Sequence, residues 1–183
     1  MKKLIFSILV SALVLSNLCS QVYKARDGVV SFNPNKAQTN KEYAAQSKEG
    51  TGIINIETGE VAFLVPMKSF RFNNALLEEH FNENYLHTNK YPNTTYKGKL
   101  LNFEKASFTK NGTYSVVSEG KVEMHGVSQN FHAPVEMIVK DGIVTFKCTF
   151  NVKADDYKID IPALVKPKLL ENTPINTVIS FKI

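Results

Sequence analysis

The sequence of 183 residues contains only two cysteines. Cys19 lies in an N-terminal segment that we expect to be removed, so Cys148 alone stays in the mature chain and no disulfide can form within it. The fold must therefore be held together by its hydrophobic core. Cys148 alternates with Phe146 and Phe150 in "VTFKCTF", which predicts a small apolar side chain on the inward face of a strand in preference to a nucleophile.

The sequence also lacks any dense run of Lys and Arg. Its formal net charge is +5, and that charge becomes smaller if Lys2 and Lys3 leave with the N-terminal segment. Dispersed basic residues are a poor match to a surface that follows nucleic-acid phosphates. We therefore expect no nucleic-acid partner.

The apolar run near the N-terminus is too short to span a bilayer. Residues 4–15 follow Met1-Lys2-Lys3 and lead through small and polar residues to Gln21, which is the pattern of a secretory signal peptide. We predict a signal peptide over residues 1–20, a mature domain over residues 21–183, a periplasmic or secreted location and no stable membrane insertion. The alternative is a lipoprotein lipidated at Cys19, but the bulky Leu18 stands where such processing needs a small side chain.

Catalytic motifs are missing as well. The sequence has no GxSxG, no HExxH, no glycine-rich phosphate loop and no dinucleotide fingerprint. Acids and histidines are dense in one stretch, "LLEEHFNENYLHTNKYP" at residues 76–92, where His80 and Glu83 are one helical turn apart. These two residues are one ligand short of a zinc site, and His87 would lie about 10 Å along the helix from His80.

We therefore predict no catalytic residue, no metal and no cofactor. The alternative that stays open is a metal-dependent hydrolase that uses His80 and Glu83 with two histidines of predicted strands. Those histidines are His125 and His132, each of which has an ordinary structural interpretation.

Most of the mature chain alternates apolar and polar residues with period two. Tight turns are predicted at residues 57–60, at Asn111-Gly112, at Asp141-Gly142 and at His125-Gly126, because such residues favour hairpin connections. About eight short strands of this kind predict an all-β antiparallel sandwich or barrel. A barrel of about that size can be filled by side chains or can hold one small ligand. Residues 33–50 are the most polar part of the mature chain, and the segment "EYAAQ" within them fits either a helical turn or a poor strand.

One helix is predicted over residues 75–85. Asn74 can cap its start, and Pro92 prevents continuation beyond the exit turn. Leu77, Phe81 and Tyr85 recur every four residues, so this apolar face should pack on the barrel while the acidic residues face water.

Several segments occur in a characteristic order between residues 29 and 183. They are "GEVAFLVPMKSFRF", "LLEEHF", "HFNENYLHTNKYP", "TTYKGKL", "YSVVSEGKVEMHGVSQNFHAPVEM", "FKCTFNVKADDYKIDIP" and "NTVISFKI". Together they resemble the YceI-like family of secreted bacterial proteins, in a divergent branch. The resemblance implies an antiparallel, lipocalin-like β-barrel with a short helix near its mouth. It further implies an elongated apolar interior that holds a polyisoprenoid or a similar amphiphile.

We therefore expect an isoprenoid or fatty amphiphile as the partner of this chain. Ten aromatic residues are candidates to line the interior: Phe63, Phe70, Phe72, Phe81, Tyr91, Phe103, Tyr114, Phe131, Phe146 and Phe150. Four basic residues are candidates for an anionic head group: Lys68, Arg71, Lys97 and Lys99. A structural or stress-related barrel with a filled interior is the remaining alternative, and a homodimer is possible through an exposed strand edge.

Overall fold

The structure is a computed structural model that describes residues 21–183. The predicted signal peptide and Cys19 lie outside the described residues. Nine strands form within residues 21–183: β1 (Val22–Phe32), β2 (Ala45–Asn55), β3 (Glu60–Pro66), β4 (Arg71–Phe72), β5 (Asn93–Leu101), β6 (Gly112–Met124), β7 (Val127–Lys140), β8 (Ile143–Lys153) and β9 (Asn172–Lys182).

The strands form a closed antiparallel barrel. Their order in the sheet is β1-β9-β8-β7-β6-β5-β3-β2-β4, and β1 also pairs with β2, for example Val30 with Ser47. That pairing closes eight long strands on themselves, while the two-residue β4 adds to β2 at Ala45 and Gln46. The predicted all-β barrel of about eight strands is confirmed.

The tight turns have the backbone geometry that their residues favour. Asp141 and Gly142 join β7 to β8 with φ of 51° and 77°, and His125 and Gly126 join β6 to β7 with φ of 51° and 72°. Two successive residues of positive φ match the right-handed twist of the flanking strands. The turn at residues 57–60 also forms, since the Gly59 amide donates to the Asn55 carbonyl at 2.8 Å.

The predicted hairpin turn at Asn111-Gly112 is wrong. Gly112 already begins β6, and residues 102–111 form a longer connection with a 3-10 turn at Lys105–Phe108. The Asn111 amide side chain instead bonds the neighbouring turn, where its Oδ1 accepts from the Asp141 amide at 3.0 Å and its Nδ2 donates to Oδ1 of Asp141 at 3.2 Å. Asn111 therefore joins the β5–β6 connection to the β7–β8 turn through its side chain and does not form a turn of its own.

Alternation of strand direction sorts the connections to two ends of the barrel. The closed end carries residues 56–59, 102–111 and 141–142, and the mouth end carries residues 33–44, 67–92, 125–126 and 154–171. Residues 33–50, whose structure the sequence left open, are a turn at the mouth followed by the start of β2 at Ala45.

The closed end is filled by a packed core. Phe108, Phe181, Met137 and Val144 are almost fully buried there. Phe108 comes from the β5–β6 connection, and its ring centroid lies 5.6 Å from that of Phe103. This connection therefore plugs the bottom of the barrel with aromatic side chains.

The predicted helix is confirmed, with a change of form halfway along it. α1 (Ala75–His80) is α-helical, and the turn that follows it, Phe81–Tyr85, is π-helical. The side chain of Asn74 caps the helix by accepting from the Leu76 amide at 2.9 Å. Of the helices within residues 21–183, none has the length and apolar character needed to cross a membrane.

One acidic residue of the helix does not simply face water as predicted. Glu78 Oε1 accepts from Nη1 of Arg71 at 3.0 Å, and its Oε2 accepts from the Phe72 amide at 3.2 Å. Glu78 therefore bonds the first turn of the helix to β4. These bonds hold the apolar side of the helix against the barrel mouth.

Candidate ligand-binding site

The barrel encloses a cavity of about 760 Å³ that opens toward the mouth end. On β9 the inward side chains from Phe181 to Thr173 all border it. At about 3.3 Å per residue, this stretch is about 26 Å along the strand. The interior above the closed-end core is thus a long tunnel and not a filled core.

Seven of the ten aromatic residues predicted to line the interior border this cavity: Phe63, Phe70, Phe72, Phe81, Phe131, Phe146 and Phe150. Strand alternation accounts for most of them, because every second residue of β3, β7 and β8 points inward. Phe63, Phe131 and Phe150 keep partial exposure because they face the cavity and not a packed neighbour. Whether any of them touches a ligand stays a prediction.

The other three aromatic residues do not border the cavity, which corrects the prediction that they line it. Tyr91 stands in the exit turn of the helix, with its ring edge-on to His125 at a centroid distance of 4.6 Å. Phe103 belongs to the plug of the closed end. Tyr114 lies near the closed end of β6, where its hydroxyl donates to the Lys110 carbonyl at 2.9 Å. Tyr91 and Phe103 sit in connections, where the two-residue alternation of a strand does not apply.

An aromatic cluster attaches the helix to the mouth. The ring of Phe81 lies 5.9 Å from Phe32, 5.6 Å from Phe70 and 5.1 Å from Phe72, measured between centroids. Such pairs contribute about 0.5–1.5 kcal/mol each beyond their buried area. The same helix face borders the cavity through Leu77, so the helix forms part of the mouth wall.

A small group of polar side chains lies about midway down the tunnel. The hydroxyls of Tyr96 and Ser118 are hydrogen-bonded to each other at 2.5 Å, and the Thr177 hydroxyl donates to the Cys148 carbonyl at 3.2 Å. All four residues border the cavity. Their polar atoms have partners within the wall, so the tunnel does not present an unsatisfied donor or acceptor here.

The interior is also uncharged at neutral pH. Burial raises the pKa of the Cys148 thiol to about 11, and burial is likewise the main reason why the pKa of Tyr96 is raised. The predicted inward position of Cys148 is confirmed, since it borders the cavity. A thiol with a raised pKa lacks the thiolate that nucleophilic chemistry needs.

The four basic residues predicted to meet a head group do not border the cavity. Lys68 donates to Oδ1 of Asn89 at 2.7 Å, and Arg71 is paired with Glu78. Lys97 and Lys99 lie on the outer face of β5, because Tyr96 between Thr95 and Lys97 points inward. Spacing along the chain could not tell the inner from the outer face of this strand.

The charged side chains that do border the cavity were not found from the sequence. They are Lys36, Lys153, Asp155, Lys166 and Glu171, and all of them belong to the mouth end. Lys153 and Glu171 are 2.6 Å apart, and Lys166 and Asp155 are 3.7 Å apart. The clustering of basic residues in the β8–β9 connection was a visible signal, but only strand direction reveals that this connection shares an end with Lys36.

The histidines do not assemble the site that a hydrolase would need. His125 bonds His87 and the Tyr157 carbonyl, both at 2.9 Å, and His132 faces Glu119 at 3.7 Å. His125, which lies in the turn between β6 and β7, and His132 are therefore both engaged with partners other than His80 and Glu83. Within the described residues, no group of three or more His, Cys, Asp or Glu side chains could hold a metal ion.

Solved structures with the same fold come from several bacteria. A polyisoprenoid binding domain from Saccharophagus degradans, implicated in plant cell wall breakdown, matches with a TM-score of 0.72 and 14% identity over 88% of this chain and 97% of that one. BcnA of Burkholderia cenocepacia matches with a TM-score of 0.69 and 12% identity over 84% and 95%. The YCEI protein of Campylobacter jejuni matches with a TM-score of 0.59 and 15% identity over 76% and 84%.

The sequence comparisons complete this assignment. No curated protein sequence matches the chain. A family model for the YceI-like domain does match, over residues 21–181, which is nearly all of the barrel described above. The chain belongs to the YceI-like domain family.

Proposed function

We propose that this protein binds one long-chain amphiphile, an isoprenoid or another lipid, inside its barrel and performs no chemistry on it. The observation that carries the proposal is the cavity of about 760 Å³, which is walled mainly by apolar side chains and open at one end. Pockets that hold small ligands fall in the range of about 300–1,000 Å³ and have such walls. The apolar tail of such a ligand would lie in the tunnel, and its polar end would lie among the charged residues at the mouth.

The energy available for binding is ample. Burial of one methylene group contributes about 0.8 kcal/mol, so a tail of about ten carbons contributes about 8 kcal/mol before the loss of ligand freedom is subtracted. A head group need not supply most of the affinity. The shape of the tunnel then selects for long, narrow and apolar tails.

The similar structures support the same class of ligand. The protein from Saccharophagus degradans is described as a polyisoprenoid binding domain. At 14% identity the likeness establishes a shared fold, so the choice of an isoprenoid over a fatty acid is part of the proposal. The open tunnel favours this function over a barrel that is filled by its own side chains.

Extraction of the purified protein tests the proposal. The chain beginning at Gln21 is purified gently from a bacterial host, extracted with organic solvent and examined by mass spectrometry. We expect an amphiphile in near-stoichiometric amount, and rebinding of a prenyl alcohol or a fatty acid to the extracted protein. A protein that comes out empty and shows no affinity for either compound would contradict the proposal.

The predicted signal peptide extends the proposal to a periplasmic or secreted lipid-binding protein. Cell fractionation with an antibody against the barrel would locate the chain, and a cytoplasmic signal alone would contradict the expected location. A homodimer stays a prediction, to be checked by light scattering of the purified protein.

A further inference from the structure

The charged residues that border the cavity at the barrel mouth include one more base than acids. The five charged residues that border the cavity are three lysines and two acids. Lys153 pairs with Glu171, and Lys166 pairs with Asp155. Lys36 forms no ion pair with any acidic side chain among residues 21–183, although it is exposed and borders the cavity. Among the five charged residues that border the cavity, Lys36 is therefore the one whose charge is not paired.

The backbone around Lys36 is held firmly against the β8–β9 connection. The Lys36 amide donates to the Lys168 carbonyl at 3.0 Å, and the Leu170 amide donates to the Pro34 carbonyl at 2.7 Å. Asn35, which is almost fully buried, forms a β-bridge with Leu169 between these two bonds. This short ladder places Lys36 on the same side of the mouth as the connection that carries Lys166 and begins directly after Lys153.

The two ion pairs at the mouth differ in how tightly they are made. The hydrogen bond from Lys153 lowers the pKa of Glu171 and is matched by a raised pKa of Lys153, so this pair is formed at neutral pH. Lys166 and Asp155 are 3.7 Å apart, with both side chains more than half exposed. Exposed pairs of this length are weak, so Lys166 loses little free energy when it turns from Asp155 toward another anion.

From this arrangement we infer that the ligand carries an anionic oxygen head group, a phosphate or a carboxylate, held at the mouth by Lys36 with help from Lys166. The inference rests on the proposed function, because it needs a tail in the tunnel to bring the head group to the mouth. The interior offers no charge of its own, since Cys148 and Tyr96 are neutral at physiological pH. A lysine ammonium binds phosphate or carboxylate as a compact point charge, whereas an uncharged head group would leave Lys36 unused.

Matched pairs of amphiphiles test the inference. The lipid-free chain over residues 21–183 is titrated with farnesyl phosphate and farnesol, which share one tail, and with palmitate and hexadecanol, which share another. We expect at least one anion to bind about fivefold more tightly than its alcohol, which is the upper end of what one exposed charge pair supplies. The preference should shrink as salt is raised, because exposed charges are screened. The phosphate and carboxylate arms show which source of anion is favoured.

Variants of Lys36 separate a charge effect from a structural one. Lys36→Met replaces the charged side chain with an apolar one of similar length. It should abolish the preference for the anion and leave the affinity for the alcohol unchanged. Lys36→Glu should reverse the preference. Lys97→Met, on the outer face of β5, is the control and should change neither affinity.

The outcomes that overturn the inference differ from those that overturn the proposed function. Equal binding of anion and alcohol by the unaltered protein overturns the head-group inference and leaves lipid binding intact. Equal weakening of both by Lys36→Met also overturns it, since the residue would then act on the tail or on the fold. Failure of all four amphiphiles to bind overturns both.

Discussion

His87 and His125 are in direct contact at the mouth end of the barrel, with Nδ1 of the first and Nε2 of the second 2.9 Å apart. Nδ1 of His125 also lies 2.9 Å from the Tyr157 carbonyl. A carbonyl only accepts, so Nδ1 of His125 carries the hydrogen, and in the neutral ring Nε2 accepts from His87. Three connections, at residues 67–92, 125–126 and 154–171, are joined through these two rings.

Removal of the His125 ring should therefore loosen the mouth. His125→Asn loses both ring hydrogen bonds and should lower the free energy of unfolding by about 1–2 kcal/mol. Asparagine is the chosen substitute because His125 has a φ of 51°, and asparagine tolerates this backbone region.

Chemical denaturation measures the effect, and His132→Asn is the control. His132 makes one long, exposed pair with Glu119, so its loss should change stability by less than about 0.5 kcal/mol. Equal effects of the two substitutions would show that the histidine pair contributes nothing specific.

Truncation of Phe81 should detach the helix from the mouth. Phe81→Ala removes a buried ring that contacts three other phenylalanines, and such truncations cost about 3–5 kcal/mol in closed cores. Because this ring also borders the tunnel, we expect about 2–4 kcal/mol, measured by denaturation. Leu76→Ala, five residues earlier and 56% exposed, should stay within about 0.5 kcal/mol. A larger loss at Leu76 would mean that the helix packs through its other side.

The pairing of β5 with β6 depends on two glycines that lie opposite each other. Gly98 and Gly120 lie opposite each other, and a Cβ on Gly120 would come within 2.2 Å of the Lys97 carbonyl oxygen and 2.5 Å of Gly98 Cα. Gly120→Ala must shift backbone and should cost about 2–3 kcal/mol or more.

Gly112→Ala is the matched control for that substitution. Its nearest neighbour is the end of the Tyr114 side chain at 3.1 Å, which can move aside. Thermal unfolding of both variants should show a clear loss for Gly120→Ala only, and a similar melting temperature for the two would contradict the close approach.

The Cys148 thiol should react slowly in the folded protein. Burial raises its pKa from 9.0 to about 11, so alkylation at pH 8 should be about a hundredfold slower than in the denatured chain, where the thiolate fraction is larger. Iodoacetamide labelling followed by mass spectrometry measures this rate. A bound amphiphile should slow the reaction further, and rapid labelling of the folded protein would place the thiol outside the tunnel.

The same thiol should make stability depend on alkaline pH. Since the folded-state pKa is the higher one, the contribution is complete below about pH 9 and is lost as the pH rises toward about 11. Cys148→Ser should lose this part of the pH dependence, because serine does not titrate in this range.

A bulky residue in the tunnel should block ligand binding without unfolding the barrel. Cys148→Trp places an indole in the open cavity, which Cys148 borders, and should abolish binding of farnesol or palmitate. Lys147→Trp, at the adjacent outward position of β8, controls for the added aromatic surface and should bind normally. Intact circular dichroism with unchanged affinity in Cys148→Trp would show that the amphiphile binds elsewhere.

Local interactions explain what could be predicted from the sequence. Alternation in "VTFKCTF" places Cys148 inside because a strand turns successive side chains to opposite faces. The pair Asp141-Gly142 forms a hairpin because its backbone conformation suits these residues. Asn74 and the stripe from Leu77 to Tyr85 define the helix, since capping and helical periodicity both act within a few residues. The resemblance to the YceI-like family identified the barrel because it combined many such local patterns.

Contacts between distant residues needed the tertiary structure. Asn111-Gly112 reads as a turn, yet Asn111 bonds a different turn thirty residues away, and Tyr91 lies outside the tunnel because its segment is no strand. Lys36 joins the lysines of residues 153–166 only because barrel closure and antiparallel strands bring their connections to one end. The sequence by itself determined the strands, the turns and the helix, whose forces act over short stretches of chain. Only the folded barrel decided which side chains share the tunnel and its mouth, since closure depends on pairing between residues far apart in the sequence.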